Sequence, residues 1–227
     1  MSVYTKLFCT MSEVKLVPTI VFKYNYEPGF NVDKFKEHTK LHGGPGVSED
    51  GGGITTAGNN DNPHFWPSMV PFLQWLHPKI EIALNEWAVA YDSYFISKSW
   101  ANLHTRGGYT KPHEHGPGSV VVSIYVKQPQ DGGNIMFESL LRDKWVAYSR
   151  EDKHSNIHDY WREISVNTND VLLFPGWINH KTQPSKTDEE RIVFTINFGA
   201  VIKSRMLHEN EIHTTERTDK AVIPKIK

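Results

Sequence analysis

The second half of the chain is a series of short apolar runs separated by glycine, proline and polar residues. Between the runs lie Gly-Pro-Gly, Asp-Gly-Gly and Pro-Gly sequences, which are typical of turns. Each run has the length of one β-strand and is too short for a helix. The sequence predicts strands at 97–105, 120–126, 134–137, 164–166, 170–174 and 191–200. Many short strands at this spacing indicate two packed antiparallel sheets or a barrel.

The first half has a different pattern. Residues 14–26 predict a strand, 31–42 a short helix capped by Asn31 or Asp33, and 68–91 a longer amphipathic helix. Pro78 is expected to start or kink the second half of that longer helix. Helices followed by antiparallel strands indicate an α+β protein with a double-stranded β-helix, or jelly-roll, core and N-terminal helices packed on one sheet.

The segment 43–62 is rich in Gly, Asn, Asp and Ser and predicts a flexible loop. Its glycines invite a phosphate-binding interpretation, but no Gly-Lys-Ser/Thr sequence follows them, so that interpretation is rejected. A second irregular stretch, 140–160, is polar and aromatic and is interpreted as an insertion.

The chain of 227 residues fits one domain. We expect 1–92 to form a strand and helical support, 93–202 the jelly-roll core and 203–227 a C-terminal tail. The formal net charge is −1 without long runs of Lys or Arg, which disfavours binding to nucleic acid or membranes through charge. Cys9 is the only cysteine, so no intramolecular disulfide and no cysteine-based zinc site can form. With an N-terminus too polar for a signal peptide, these features predict a cytoplasmic protein.

Two short motifs, 67 positions apart, carry residues suited to metal binding: His113-Glu114-His115 and the segment that ends at His180. Residues i and i+2 of a strand share a face, so His113 and His115 can direct two imidazoles at one point. A third histidine, His180, can complete a facial metal site. For an isolated His-x-His the plain alternative is two surface histidines beside a Gly-Pro-Gly turn.

The region 100–198 resembles the Fe(II)- and 2-oxoglutarate-dependent oxygenases, in particular a group of phage and bacterial oxygenases related to prolyl hydroxylases. The motifs that carry the resemblance are Trp100-x-Asn102, His113-x-His115, Ser123-Ile124-Tyr125, Gly133-Asn134-Ile135-Met136-Phe137, Leu172 to His180 and Arg191-x-x-x-x-x-Asn197-Phe198. The resemblance covers the last half of the chain well and the first 90 residues only loosely.

By this resemblance His113 and His180 are iron ligands. The family usually has Asp or Glu two positions after the first histidine, whereas this chain has His115. Three alternatives follow: His115 is the ligand in a three-His site, Glu114 binds instead, or neither does. We favour His115, because neutral imidazole is a good iron ligand and its position has the right direction. A ligand set with His104 is disfavoured, because Gly107-Gly108 is expected to turn the chain away.

Arg191 follows His180 by 11 positions and begins an apolar strand. A dicarboxylate cosubstrate would pair with its guanidinium, while the alternative is a rim arginine paired with Asp188, Glu189 or Glu190. The remaining expected cosubstrate residues are Tyr125, which resembles the tyrosine that helps to bind the distal carboxylate but could be plain core, and Asn102, Ser123 and Asn197.

The resemblance implies a dioxygenase that uses Fe(II), 2-oxoglutarate and O₂, releases succinate and CO₂, and hydroxylates a peptidyl, in particular prolyl, or small-molecule substrate. Two alternatives stay open at this point. One is a three-His dioxygenase that does not use 2-oxoglutarate, and the other is a non-enzymatic jelly-roll binding or virion module with an incidental metal site.

Overall fold

The computed structural model describes residues 20–45, 50–58, 62–116, 119–140 and 160–201. The predicted insertion and tail therefore lie largely or wholly outside the described residues, as does the start of the first predicted strand. The elements, in chain order, are β1 Phe22–Asn25, α1 Val32–His42, β2 Gly44–Pro45, β3 Asp50–Thr55, α2 Val70–Glu86, β4 Ser93–Thr110, β5 Ser119–Lys127, β6 Ile135–Glu138, β7 Trp161–Ile164, β8 Asp170–Pro175, β9 His180–Thr182 and β10 Arg191–Val201.

The strands form two antiparallel sheets. The larger sheet has the order β1-β8-β5-β10-β4-β3-β2, and the smaller has the order β7-β6-β9. The order is not sequential, since β10 lies between β4 and β5 in the centre of the larger sheet. This arrangement confirms the predicted jelly-roll core. It also draws β1, β2 and β3 from the first 92 residues into the larger sheet.

The side chains of β10 alternate between two environments because successive residues of a strand point to opposite faces. Ile192, Phe194, Ile196 and Phe198 belong to the hydrophobic core that includes the helices. Arg191, Val193, Thr195 and Asn197 point the other way and line a cavity. A second core, between the two sheets, contains Tyr125, Phe137, Leu172 and Phe174. Polar residues on the strand face opposite the helices are thereby brought together inside the molecule.

Both predicted helices form, and they pack on the face of the larger sheet that is opposite the cavity. Asn31 caps α1 as predicted, with its side chain accepting a hydrogen bond from the Lys34 N–H at 2.9 Å. Phe35 of α1 then packs against Phe194 of β10, with ring centroids 5.2 Å apart. The helix α2 begins at Val70 and continues through Pro78 to Glu86. Pro78 therefore does not start a separate helix. Its buried Leu76, Ile80 and Leu84 face the core.

Two sequence predictions about loops were wrong. The segment 43–62 contains strands β2 and β3, and β3 pairs with β4. Its glycines allow this pairing: a Cβ at Gly53 would lie 2.3 Å from Cδ2 of His104. Gly107-Gly108 does not turn the chain away, because β4 runs through both residues to Thr110. Within the described part of the chain, neither helix is long and apolar enough to span a membrane.

Candidate metal centre

Three histidine side chains converge between the two sheets. One nitrogen from each of His113, His115 and His180 lies within 4.8 Å of the others. The Nε2 atoms of His115 and His180 are 3.3 Å apart. Two nitrogens bound at a right angle to one ion, each at about 2.1 Å, would be about 3 Å apart. The three side chains therefore fit a facial metal site in which every donor atom is an imidazole nitrogen.

Backbone contacts position the histidines. His113 and His180 form an isolated β-bridge and exchange two backbone hydrogen bonds of 3.0 Å. The backbone N–H of His115 donates to the carbonyl of Gly176 at 2.7 Å. His180 begins β9 in the smaller sheet. The segment 113–115 is thus attached to the chain around the Pro-Gly turn that follows β8.

The ring orientation of two histidines is set by their own neighbouring carbonyls. His113 Nδ1–H donates to the Lys111 carbonyl at 2.8 Å, and His180 Nδ1–H donates to the Ile178 carbonyl at 3.0 Å. A carbonyl can only accept, so the proton of each neutral ring is on Nδ1. Nε2 is then the nitrogen that remains for a metal, as is common in metal-binding histidines.

Burial keeps two of the rings neutral. It lowers the pKa of His115 to about 4, with a smaller contribution from the nearby His113. Burial likewise places the pKa of His180 well below its usual value, and His113 and His115 lower it further. Neutral imidazole is the form that coordinates metal, so His115 and His180 are in the charge state that metal binding requires at neutral pH.

The two alternative ligands lie elsewhere. Glu114 is exposed and borders a different, more open cleft, on the other side of the segment. His104 is buried and its Nδ1 is 2.9 Å from Nη2 of Arg191. Because a guanidinium can only donate, His104 Nδ1 accepts in this contact and the ring is neutral. Neither residue belongs to the three-histidine cluster. The exclusion of His104 was predicted from a turn at Gly107-Gly108, but β4 runs through both glycines, and His104 is instead engaged with Arg191.

All the site residues singled out from the sequence line one cavity of about 260 Å³. The predicted metal ligands come from the 113–115 segment and the start of β9. The rest come from the inner face of the larger sheet: Asn102 on β4, Ser123 and Tyr125 on β5, and Arg191 and Asn197 on β10. The jelly-roll topology brings them together because β10 pairs with β4 on one side and with β5 on the other.

Arg191 is 0% exposed, which excludes the alternative of a rim arginine. The three acids considered as its partners bind other cations: Asp188 pairs with Arg106, Glu189 with Lys127, and Glu190 with Lys36 and Lys40. Among the described contacts, the guanidinium of Arg191 donates to the carbonyls of Gly132 and Gly133, the ring of His104 and the hydroxyl of Thr182.

The turn between β5 and β6 forms a cradle for this guanidinium. Gly133 has φ +83°, and a Cβ there would lie 2.4 Å from the Gln183 carbonyl oxygen and 3.1 Å from Nη1 of Arg191. Glycine is thus required at Gly133 both by backbone conformation and by the approach of Arg191. The Asp-Gly-Gly sequence that predicted a turn therefore also shapes the surroundings of the Arg191 guanidinium.

Tyr125 lies deep in the cavity, close enough for the charge of Arg191 to affect its hydroxyl. Burial raises the pKa of Tyr125, while Arg191 acts in the opposite direction. Ser123 is on the same strand face two residues away. Asn102 accepts a hydrogen bond from the Thr55 hydroxyl at 2.5 Å. Tyr125 belongs to the core between the sheets and also lines the cavity, so the two interpretations of this residue are compatible.

Thr55 and Thr182 are among the cavity residues that sequence reasoning missed. Thr55 comes from the segment predicted to be a loop, and Thr182 comes from the short strand β9. A signal for Thr182 exists, since it lies two positions after His180 and would share its strand face. Trp100, which belongs to the Trp100-x-Asn102 motif, also lines the cavity and stacks on His115 with ring centroids 5.5 Å apart.

Known folds of the same architecture support this description. The chain is similar to a prolyl-4-hydroxylase from Pseudomonas putida (11% identity, TM-score 0.53, 80% of this chain and 93% of the other covered). It is also similar to HygX from Streptomyces hygroscopicus with nickel, 2-oxoglutarate and hygromycin B bound (12% identity, TM-score 0.53, 81% and 84% covered). A third is the Trichoplax adhaerens prolyl hydroxylase in complex with a hypoxia inducible factor oxygen degradation domain peptide fragment (14% identity, TM-score 0.52, 79% and 83% covered).

At these identities the similarity establishes the fold alone. No curated protein matches the sequence. Residues 98–197, which run from β4 to β10 and include all eight predicted site residues, match a family described as "Putative 2OG-Fe(II) oxygenase". That match covers the segment that builds the cavity, which is less than half of the chain, so it is this segment that is similar to the 2OG-Fe(II) oxygenases.

Proposed function

We propose that this protein is an Fe(II)- and 2-oxoglutarate-dependent hydroxylase with a three-His metal site. The observation that carries the proposal is the shared cavity: three converging imidazoles and the buried guanidinium of Arg191 line the same space. His113, His115 and His180 hold the iron, which supplies the oxidative chemistry and leaves positions open for ligands. Arg191 binds the distal carboxylate of 2-oxoglutarate.

The charges of the cavity support an anionic cosubstrate. The residues that line it include Lys98, Lys181 and Arg191 besides the histidines, and none of the described lining residues is acidic. A dicarboxylate in this cavity would meet the Arg191 guanidinium with one carboxylate and the iron held by the three histidines with the other. Tyr125 and Asn102 offer a hydroxyl and an amide for the distal and proximal carboxylates, Ser123 offers a second hydroxyl, and Asn197 acts at the metal end.

The substrate is a peptide or a small molecule, and one observation favours the peptide. His113 borders both the metal cavity and a second, open cleft of about 450 Å³. Trp177 and Leu140 line that cleft and are 45% and 51% exposed. An extended peptide lying across the cleft would place one residue beside His113. The neighbours of similar fold include one bound to a peptide and one bound to hygromycin B.

The test is anaerobic titration of the iron-loaded protein with 2-oxoglutarate, followed by visible absorption. We expect a weak charge-transfer band that saturates with 2-oxoglutarate and is absent in His180→Ala. Succinate formation on admission of O₂ is then screened with proline-containing peptides and with an aminoglycoside. A well-folded, iron-loaded protein that gives neither the band nor succinate contradicts the proposal and leaves the non-enzymatic binding module or the three-His dioxygenase that does not use 2-oxoglutarate.

A variant of Arg191 distinguishes the proposal from a three-His dioxygenase that does not use 2-oxoglutarate. In that case Arg191→Lys would leave the turnover of substrate unchanged and 2-oxoglutarate would not alter the spectrum. Arg106→Lys is a matched control, since Arg106 is exposed and its guanidinium binds Asp188 outside the cavity.

A further inference from the structure

Two lysines that line the cavity have no part in the proposed cosubstrate site. Lys98 is exposed and Lys181 is half-buried. Within the described part of the chain, the ion pairs occupy other lysines and neither of these two. Each ammonium instead lies beside an aromatic ring, that of Lys98 5.8 Å from the centroid of Trp100 and that of Lys181 4.3 Å from the centroid of Trp161. Both cations can therefore take an anionic partner from outside the chain.

The register of β4 on β10 separates Lys98 from Arg191 along the cavity. Arg191 is opposite His104, and Lys98 is opposite Asn197. His104 and Lys98 are six residues apart on one strand, so their Cα atoms are separated by about 20 Å. The carbon chain of 2-oxoglutarate, with four C–C bonds of about 1.5 Å, spans at most about 6 Å. A cosubstrate held at Arg191 and at the metal is therefore expected to leave Lys98 for another molecule.

Lys98 lies beside the metal site, on its solvent side. Trp100, two residues away on the same strand face, stacks on the His115 ring with centroids 5.5 Å apart. The side chain of Asn197, the cross-strand neighbour of Lys98, contacts the same ring at 3.1 Å. Lys98 itself is exposed. A substrate that approaches the metal site along this end of β4 would pass the Lys98 ammonium.

The charges of the loaded cavity favour an anionic group at this point. Fe(II) and the dianion of 2-oxoglutarate cancel each other. His115 stands where the family that the chain resembles usually has a carboxylate, so the ligand set contributes no negative charge. Arg191, Lys98 and Lys181 then leave an excess of positive charge, because none of the described lining residues is acidic. Such a cavity attracts anions and disfavours cations.

We propose that the substrate carries an anionic group that binds Lys98, which makes Lys98 a residue that determines substrate specificity. The anion is a carboxylate, either the side chain of an Asp or Glu in a peptide or the acid group of a small molecule. It lies beside Trp100, and the carbon to be hydroxylated lies nearer the three histidines. This inference rests on the proposed function, because the count of charges includes the metal and 2-oxoglutarate.

Binding to the full-length protein loaded with Zn²⁺ and 2-oxoglutarate, measured by calorimetry, tests the inference without turnover. One series of probes is a blocked proline-containing peptide with Glu, Gln or Lys beside the proline. The other is N-acetylproline and its neutral amide. At low ionic strength we expect the anionic member to bind at least about fivefold more tightly than its neutral partner. The preference should shrink with added salt, vanish in Lys98→Gln and reverse in Lys98→Glu.

Lys34→Gln is the matched control and should keep the preference. Lys34 is also exposed, and its ammonium lies 4.4 Å from the ring centroid of Trp66, on α1 and outside the cavity. The affinity of Lys98→Gln for 2-oxoglutarate should equal that of the wild type, since the cosubstrate does not contact Lys98.

A preference in only one of the two series supports the inference and identifies the source of the carboxylate. A wild type that binds 2-oxoglutarate but prefers the anionic member in neither series, or a preference that persists in Lys98→Gln, overturns the inference alone. A wild type that does not bind 2-oxoglutarate overturns the proposed function, and the inference with it.

Discussion

His113 and His180 are paired across the two motifs, since each backbone N–H donates to the carbonyl of the other at 3.0 Å. The ring centroids of this pair lie 4.3 Å apart. A single β-bridge thus sets the register of two ligands that are 67 positions apart in sequence. A shift of one residue at this bridge would turn one imidazole to the opposite face.

The first prediction concerns the ligand set. His113→Ala, His115→Ala and His180→Ala should each lower the Fe(II) affinity by more than about 100-fold. Removing a residue that only hydrogen-bonds to a metal ligand already lowers metal affinity by about 10–100-fold, and removing the ligand itself should cost more. Anaerobic Fe(II) binding measures this directly. Glu114→Ala is the matched control within the same segment, since Glu114 is exposed and outside the cluster. Loss of iron with Glu114→Ala, but not with His115→Ala, would assign the second ligand to Glu114.

The second prediction concerns Arg191. Replacing it with Lys keeps the charge but removes the planar fork, so we expect the dissociation constant of 2-oxoglutarate to rise at least about tenfold. Iron affinity should be unchanged, because no metal-binding histidine contacts the guanidinium in the described hydrogen bonds. Calorimetric titration of the iron- or zinc-loaded protein with 2-oxoglutarate is the measurement. Equal 2-oxoglutarate affinity in Arg191→Lys and Arg106→Lys would remove Arg191 from the cosubstrate site.

The third prediction separates backbone strain from the Arg191 cradle. Gly133→Ala and Gly107→Ala both place a side chain at positive φ, +83° and +79°. Only the Gly133 Cβ would meet the Gln183 carbonyl and Arg191, whereas nothing lies within 4 Å of a Cβ at Gly107. Both variants should be destabilised by about 1 kcal/mol of strain. Gly133→Ala should in addition weaken 2-oxoglutarate binding.

Chemical denaturation and 2-oxoglutarate titration of the two glycine variants provide the comparison. If both variants bind 2-oxoglutarate like the wild type, the turn at Gly133 is a structural element of the sheet and has no part in orienting Arg191.

The fourth prediction concerns acid stability of the metal-free protein. His115 has its pKa lowered from 6.5 to about 4, and that of His180 is lowered well below 6.5. As the pH falls, the unfolded chain therefore takes up protons at these residues at a higher pH than the folded protein does. Their contribution to stability is complete above pH 6.5 and is lost as the pH falls towards 4.

Thermal unfolding of the metal-free protein at several pH values between these limits measures the effect. The melting temperature should fall with pH, and the fall should be smaller in the His115→Asn, His180→Asn double variant. A residual pH dependence is expected in that variant, because burial also lowers the pKa of His64 to about 4. An unchanged pH dependence would mean that His115 and His180 are not neutral in the folded protein.

The parts of the site that could be predicted from sequence are those that depend on strand periodicity. His113 with His115, and Ser123 with Tyr125, lie in i, i+2 relationships, which place both side chains on one face. Arg191 was recognisable because a charge at the start of an apolar strand needs a partner. The boundaries of β5, β8 and β10 were also close to those predicted.

The parts that could not be predicted depend on contacts between distant segments. The glycines of β3 indicated a loop, but they permit a close approach to His104 that becomes visible only in the folded sheet. The role of Gly133 depends on where the Arg191 guanidinium lies. The contact between Asn197 and His115 spans 82 positions and is set by the register of β10 on β5 together with the bridge at His113.

The central claim is that three imidazoles and one buried arginine together support 2-oxoglutarate-dependent oxidation. Its most direct test is O₂-dependent succinate formation by the iron-loaded protein, compared among wild type, His180→Ala, Arg191→Lys and Arg106→Lys. We expect succinate from the wild type and Arg106→Lys, none from His180→Ala, and recovery in Arg191→Lys only at raised 2-oxoglutarate concentration. Succinate formation that persists in His180→Ala, or is absent from folded, iron-loaded wild type supplied with peptide and small-molecule substrates, would contradict the account.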